Sequence, residues 1–345
     1  MKHALPRLLC LVGLLTLGAA QAAGTPHYRI THQVSLPGNE GWDYLLYDQA
    51  RHRLFVSHGT RVLVVDADKL AVTGEIPDTP GVHGIALADD LGRGYVSAGR
   101  AGSVVVFDLQ TLARLKEIKV TGENPDAILY DPATHRVFTF NGRGRNATAI
   151  DARTDEILGT IALDAKPEFA ATDGKGRVYV NLEDRNSLAA LDPHKLSVLS
   201  TWPLAGCEEP SGLAIDARHG HLMPVCGNKL LAVVDTASGK LLGTAPIGAG
   251  VDAAAFDPGT DLAFASCGEG VLTVVRIGPA GRPEVVESVA TQRGARTMAL
   301  DLEKHRVFLV TADFSPPPPP TAEQPHPRPS IVPGSVRLLV LESGS

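Results

Sequence analysis

One phrase recurs seven times along this chain, at intervals of about 40 to 44 residues, and that period narrows the possible folds more than any other feature. It reads GWDYLLYD (41–48), VHGIALAD (82–89), NPDAILYD (124–131), KPEFAATD (166–173), EPSGLAID (209–216), GVDAAAFD (250–257) and GARTMALD (294–301). Short β-branched and aromatic runs broken by Gly, Asp and Asn are strand signals, and four fit in each repeat. Seven such units predict an all-β, seven-bladed propeller of four-stranded blades closed into a ring.

Blade two shows how the repeat encodes a blade. Ile85–Ala88, Gly94–Ser97, Val104–Phe107 and the more polar Ala113–Val120 are the expected strands, the last on the outside. The third strand stops at an aspartate in five blades: Asp66, Asp108, Asp151, Asp192 and Asp235. A carboxylate there can accept hydrogen bonds from the turn that follows it. Blade six has Arg276 instead. Blade seven has three strands of its own, ending in Val336–Leu341, while Tyr28–Leu36 stands unpaired before the first repeat. Pairing those two segments completes blade seven and removes two open edges.

The phrase YVSAGRAGSVVVFDLQTL (95–112) resembles the repeat of the YVTN propellers of bacteria. GCEEPSGLAID (206–216), TQRGARTMALD (291–301) and PHPRPSIVPGS (325–335) are similar to segments of the YncE-like periplasmic proteins of that class. The resemblance covers nearly the whole chain after its leader. It implies a secreted seven-bladed propeller and little about chemistry, although some relatives are described as nucleic-acid binders.

Residues 1–22 read as a cleaved signal peptide. Lys2 and Arg7 supply positive charge, Leu8–Ala19 the apolar core and Ala20-Gln21-Ala22 the cleavage site. Residues 23–345 then form one exported domain, expected to be periplasmic or secreted, monomeric and without a membrane span. Losing Lys2 and Arg7 moves the formal charge from −6 to about −8, and aromatic residues make up only 5%. Nucleic acid needs a basic groove and stacking rings, so this balance argues against it as a partner. Two tryptophans, Trp42 and Trp202, are too few for a quinone propeller with one in each blade.

Three cysteines follow the leader. Cys226 and Cys267 hold the same repeat position in neighbouring blades, and packed sheets stand about 10 Å apart. Cys207 lies in the loop entering blade five, on the same ring face as Cys226, within the reach a disulfide needs. The expected bond is Cys207–Cys226, a pairing that the resemblance also implies, and Cys267 stays free as a small buried residue.

Aligning the repeats places one residue per blade at the mouth of the channel: Asp43, His83, Asp126, Glu168, Ser211, Asp252 and Arg296. The ends of the second strands predict another ring on that face: His58, Ala98, Asn141, Leu182, Cys226, Cys267 and Thr311. Asp43, Asp126, Glu168 and Asp252, with a histidine beside them, offer oxygen and nitrogen ligands to a divalent cation. The same face carries a proline-rich insertion, residues 313–334, whose His326 and Arg328 reach toward the opening. The sequence therefore reads as an exported binding or scaffold propeller with a site for a small ligand or a periplasmic protein on its acidic funnel. A metal-dependent, lactonase-like hydrolase using the same carboxylates is the rival reading, with nucleic-acid binding a further one. No residue is assigned a catalytic role.

Overall fold

The computed structural model describes residues 1, 27–321, 327 and 329–344. Residues 2–26, on which the expected signal peptide falls, and His326 and Arg328 lie outside the described residues. Seven four-stranded antiparallel sheets follow one another, each of the first six built from four consecutive strands. Blade one is Trp42–Asp48, Arg53–His58, Arg61–Asp66 and Ala71–Ile76. Blade two, at Val82–Ala88, Arg93–Ala98, Ser103–Asp108 and Arg114–Lys119, matches the sequence reading to within a few residues at each end. The innermost strands carry their charged residues near their two ends, as in WDYLLYD, PDAILYD and VDAAAFD, while the outermost strand of blade two, RLKEIK, exposes all but Ile118.

The ring closes as expected. His27–Ser35 pairs antiparallel with Arg337–Gly344, running from His27 opposite Gly344 to Ser35 opposite Arg337. This strand is the outer edge of blade seven, whose inner strands are Met298–Asp301 and Arg306–Thr311.

Hydrophobic clusters lie between adjacent blades. The Tyr47 and Phe308 rings stack 5.5 Å apart between blades one and seven, and the Tyr28 edge meets Phe264 at 5.2 Å between blades seven and six. Burying such rings drives neighbouring sheets together. Polar staples add direction on the face opposite the funnel. An arginine opening the second strand reaches a carbonyl of the neighbouring blade: Arg53 to Leu109 at 2.7 Å, Arg93 to Ala152 at 3.4 Å and Arg306 to Ala67 at 3.1 Å. The turn aspartates behave as read. Asp108 Oδ1 accepts from the N–H groups of Gln110 (2.9 Å) and Thr111 (2.7 Å), and Asp66, Asp151, Asp192 and Asp235 accept from their own turns.

Cys207 and Cys226 are bonded, with Cα atoms 5.4 Å apart. Cys267 is free and buried, and burial pushes its thiol up to about 11, which leaves it protonated and unreactive. Among the described residues no helix is long and apolar enough to cross a membrane.

Candidate functional site

Six of the seven first strands begin with a break in register against the second strand. The break falls between Trp42 and Leu45, Val82 and Ile85, Pro125 and Ile128, Pro167 and Ala170, Pro210 and Leu213, and Val251 and Ala253. Asp43, His83, Asp126, Glu168, Ser211 and Asp252 sit inside those breaks. A local irregularity of this kind turns a side chain out of the pleat, here toward the ring axis. Arg296 precedes the shorter strand of blade seven. All seven aligned residues line one cavity of about 690 Å³.

The cavity is a cup rather than a tunnel. Tyr44 of blade one and Phe169 of blade four stack across the axis, with centroids 4.4 Å apart and planes 23° apart. Both line the cavity, and their rings fill the narrow part of the channel beneath the charged rim.

Polar groups around the wall fall into three sets. His83 Nδ1 lies 2.6 Å from Asp43 Oδ2 and 3.6 Å from Asp126 Oδ1. Gly99 makes room for this imidazole, since a Cβ there would stand 2.7 Å from His83 Nε2. Arg296 Nε donates to Asp252 Oδ2 at 2.6 Å, and its Nη2 lies 3.9 Å from Asp43. Lys166 bridges Glu168, at 2.6 Å, and Glu183. Five carboxylates thus face two permanent cations and one histidine.

Crowding of like charges away from water sets the protonation of these groups. Burial, aided by Asp43, pushes Asp126 up to about 6 against the pull of His83. Burial and then Asp126 push Glu168 up to about 7, with Lys166 opposing. Burial also raises Asp252, with Arg296 acting the other way. His83 itself is raised, because Asp43 and Asp126 outweigh the burial that favours its neutral form. Tyr44 is held far above the ordinary phenol range by burial and by the surrounding carboxylates.

The second predicted ring does not reach the cup. His58, Ala98, Asn141, Leu182, Cys226, Cys267 and Thr311 are all buried, at 3% exposure or less. Second strands stand one position further from the axis, so their ends pack between blades. His58, expected at the funnel, is instead buried outside the cup lining, with its Nε2 3.3 Å from Glu40 Oε2. Burial keeps it below the usual histidine range.

Sequence alignment passed over Tyr44, Phe169, Lys166 and Glu183. It also passed over a set of clamps: second-strand polar side chains of one blade donate to the carbonyl of the next blade's cup residue. Ser97 donates to Asp126 at 2.5 Å, Asn181 to Ser211 at 2.8 Å and Ser266 to Arg296 at 2.5 Å; Ser57 donates to His83. A small polar residue near the end of the second strand was the available signal.

The base of the proline-rich insertion lies against the same face. Phe314 and Ile331 form a short antiparallel bridge, the N–H of Val332 donates to Asp313 at 2.9 Å, and the Phe314 ring lies 6.2 Å from Trp42. Beside the cup, a second depression between blades two and three shares His83 and is flanked by Arg100 and Arg143.

No family model matches the sequence, and no curated protein matches it. Solved structures show the fold. The chain superposes on a structure described as RRP9 WD40 repeats with a TM-score of 0.74, at 9% identity over 91% of this chain and 97% of that one. For U3-55K the TM-score is 0.73, at 9% identity over 90% and 98%. For a Kuenenia stuttgartiensis hydrazine synthase it is 0.68, at 19% identity over 79% and 93%. These likenesses establish a seven-bladed propeller and nothing finer.

Proposed function

We propose that this chain is an exported propeller of the YncE-like, YVTN-repeat kind that binds a positively charged ligand in its cup and otherwise serves as a binding scaffold. The export reading rests on the leader and agrees with the disulfide, a bond favoured in oxidising compartments. The binding reading rests on one observation: five carboxylates face two permanent cations around a cup closed below by two aromatic rings. A cation entering it gains from the uncompensated charge on the wall.

Calorimetric titration of the mature protein with small amines tests the reading. Putrescine, spermidine, lysine and choline would be compared with neutral sugars, and with a variant whose cup is filled. Gly142→Leu suits that purpose: Gly142 stands beside the lining, and a Cβ there makes ordinary contacts, 3.9 Å from Asp126 and 4.0 Å from Lys166, so a larger side chain crowds two residues of the wall. Amine binding that disappears in Gly142→Leu supports the cup. Equal binding by the two proteins, or binding by neither, overturns it.

A further inference from the structure

The cup reading says only that a cation binds, and one part of its wall is more specific. His83 presents a single atom, Nδ1, to two carboxylates at once. Neutral or protonated, an imidazole carries at most one N–H at Nδ1, and with Asp43 at 2.6 Å and Asp126 at 3.6 Å that proton serves Asp43 alone. One ligand atom from each of Asp43, His83 and Asp126 fits within a span of 4.8 Å, the only such group of three or more among the described residues.

A second observation comes from the floor. The Tyr44 hydroxyl oxygen is buried and has no hydrogen-bond partner among the described residues. It lies among these carboxylates and lines the same cavity. A phenol O–H enclosed without an acceptor is costly, so a polar group belongs beside it. A metal ion that keeps a water answers both observations. The ion takes one donor atom from each of three side chains, and its water gives Tyr44 an acceptor.

We propose that Asp43, His83 and Asp126 form a divalent transition-metal site in the wall of the cup, with an open position facing the cavity and the Tyr44 hydroxyl donating to the group held there. The inference deepens the cup reading and rests on it. The donor set selects the metal class. One imidazole with two carboxylates suits zinc, manganese or iron, whereas calcium prefers six to eight oxygens. Glu168 and Asp252 stand outside the set because Lys166 and Arg296 hold them. This narrows the four carboxylates and one histidine expected from sequence to Asp43, His83 and Asp126.

The test is titration of chelator-treated mature protein with Zn²⁺, Mn²⁺ and Ca²⁺, and the visible absorption of its Co²⁺ form. One equivalent of Zn²⁺ or Mn²⁺ should bind and Ca²⁺ should not at the same concentration. The Co²⁺ spectrum should report nitrogen and oxygen ligation. The double variant Asp43→Asn with Asp126→Asn should lose at least tenfold in affinity, and Tyr44→Phe about tenfold, the usual effect of removing a group that supports a metal's ligands. His219→Asn is the control. It removes a histidine paired with Asp216 at 2.6 Å away from the cup and should leave uptake unchanged. Near-ultraviolet circular dichroism confirms that each variant is folded. Absence of Zn²⁺ and Mn²⁺ uptake by the wild type, or equal uptake by the folded double variant, overturns the site. Should that happen while the amines still bind and Gly142→Leu still blocks them, the metal inference falls and the cup reading stands.

Discussion

Ser97 Oγ, in the second strand of blade two, donates a 2.5 Å hydrogen bond to the main-chain carbonyl of Asp126 in blade three, while the N–H of Gly84 donates to Ser97 at 2.8 Å. One fully buried hydroxyl thus ties the cup residue of one blade to the inner strand of the blade before it. The position of the Asp126 carboxylate is set from outside its own sheet.

Ser97→Ala leaves that carbonyl and the Gly84 N–H buried without this partner. It should destabilise the protein by about 1–3 kcal/mol and weaken cation binding in the cup. Urea unfolding and the amine titration measure the two effects. A loss of stability with unchanged binding would show that the clamp does not position Asp126.

Stability of the chelator-treated protein should fall as pH rises through about 4.5 to 7. Asp126 and Glu168 titrate higher in the folded protein, at about 6 and about 7, than they do unfolded. Their contribution is therefore complete below the unfolded values and is lost as pH climbs through the folded ones, a change on the order of 3 kcal/mol for each group. His58 and His221, kept neutral chiefly by burial, act in the opposite sense over part of this range. The readout is therefore the difference between wild type and the variant Asp126→Asn with Glu168→Gln. Parallel stability curves for the two proteins across this range would refute the assignment.

Arg306 holds blade seven from below. It is 7% exposed, grips Asp301 at 2.7 and 3.0 Å and reaches the Ala67 carbonyl. Arg306→Ala strands a buried carboxylate and should cost about 3–5 kcal/mol. Arg306→Lys should recover only part of this, since an ammonium cannot reproduce the fork of contacts. Thermal denaturation of the three proteins decides it, and a full recovery by lysine would contradict the geometric argument.

The cysteines give a chemical check. The oxidised native protein should show no thiol to a water-soluble reagent until it is unfolded, and then one, Cys267. Replacing Cys207 and Cys226 together by serine should cost about 3 kcal/mol for a loop of 19 residues. Rapid labelling of the native protein would place Cys267 at the surface instead.

The repeat made blade positions legible, and with them the seven residues from Asp43 to Arg296 that meet at one opening. It did so because six of the seven blades start their inner strand with the same irregularity, so alignment in sequence became alignment in space. His58 shows the limit. Repeat register gives height along the axis but not the direction of a side chain, and a residue one strand out turns into the packing between blades. Lys166 and Glu183 were hidden for a different reason. One sits just before an inner strand and the other in the short turn Glu183–Arg185, places where the blades differ and alignment carries no signal. Tyr44 and Phe169 read as ordinary inner-strand aromatics. That they touch depends on blades one and four facing each other across a closed ring.

The closing pair has a consequence for how the protein is made. Six blades are local meanders whose strands become available in order, and each can form as its own segment is completed. Blade seven is different. His27 must find Gly344, and nearly the whole chain lies between them, so this is the pairing of greatest sequence separation and a slow one to form. Until it forms, Arg337–Gly344 presents an open edge, the kind of template that recruits strands from other chains. A second copy carries the same His27–Ser35 segment and fits that edge in the same register. Exchange of this one strand between two copies is therefore the assembly error that the fold most invites at high concentration.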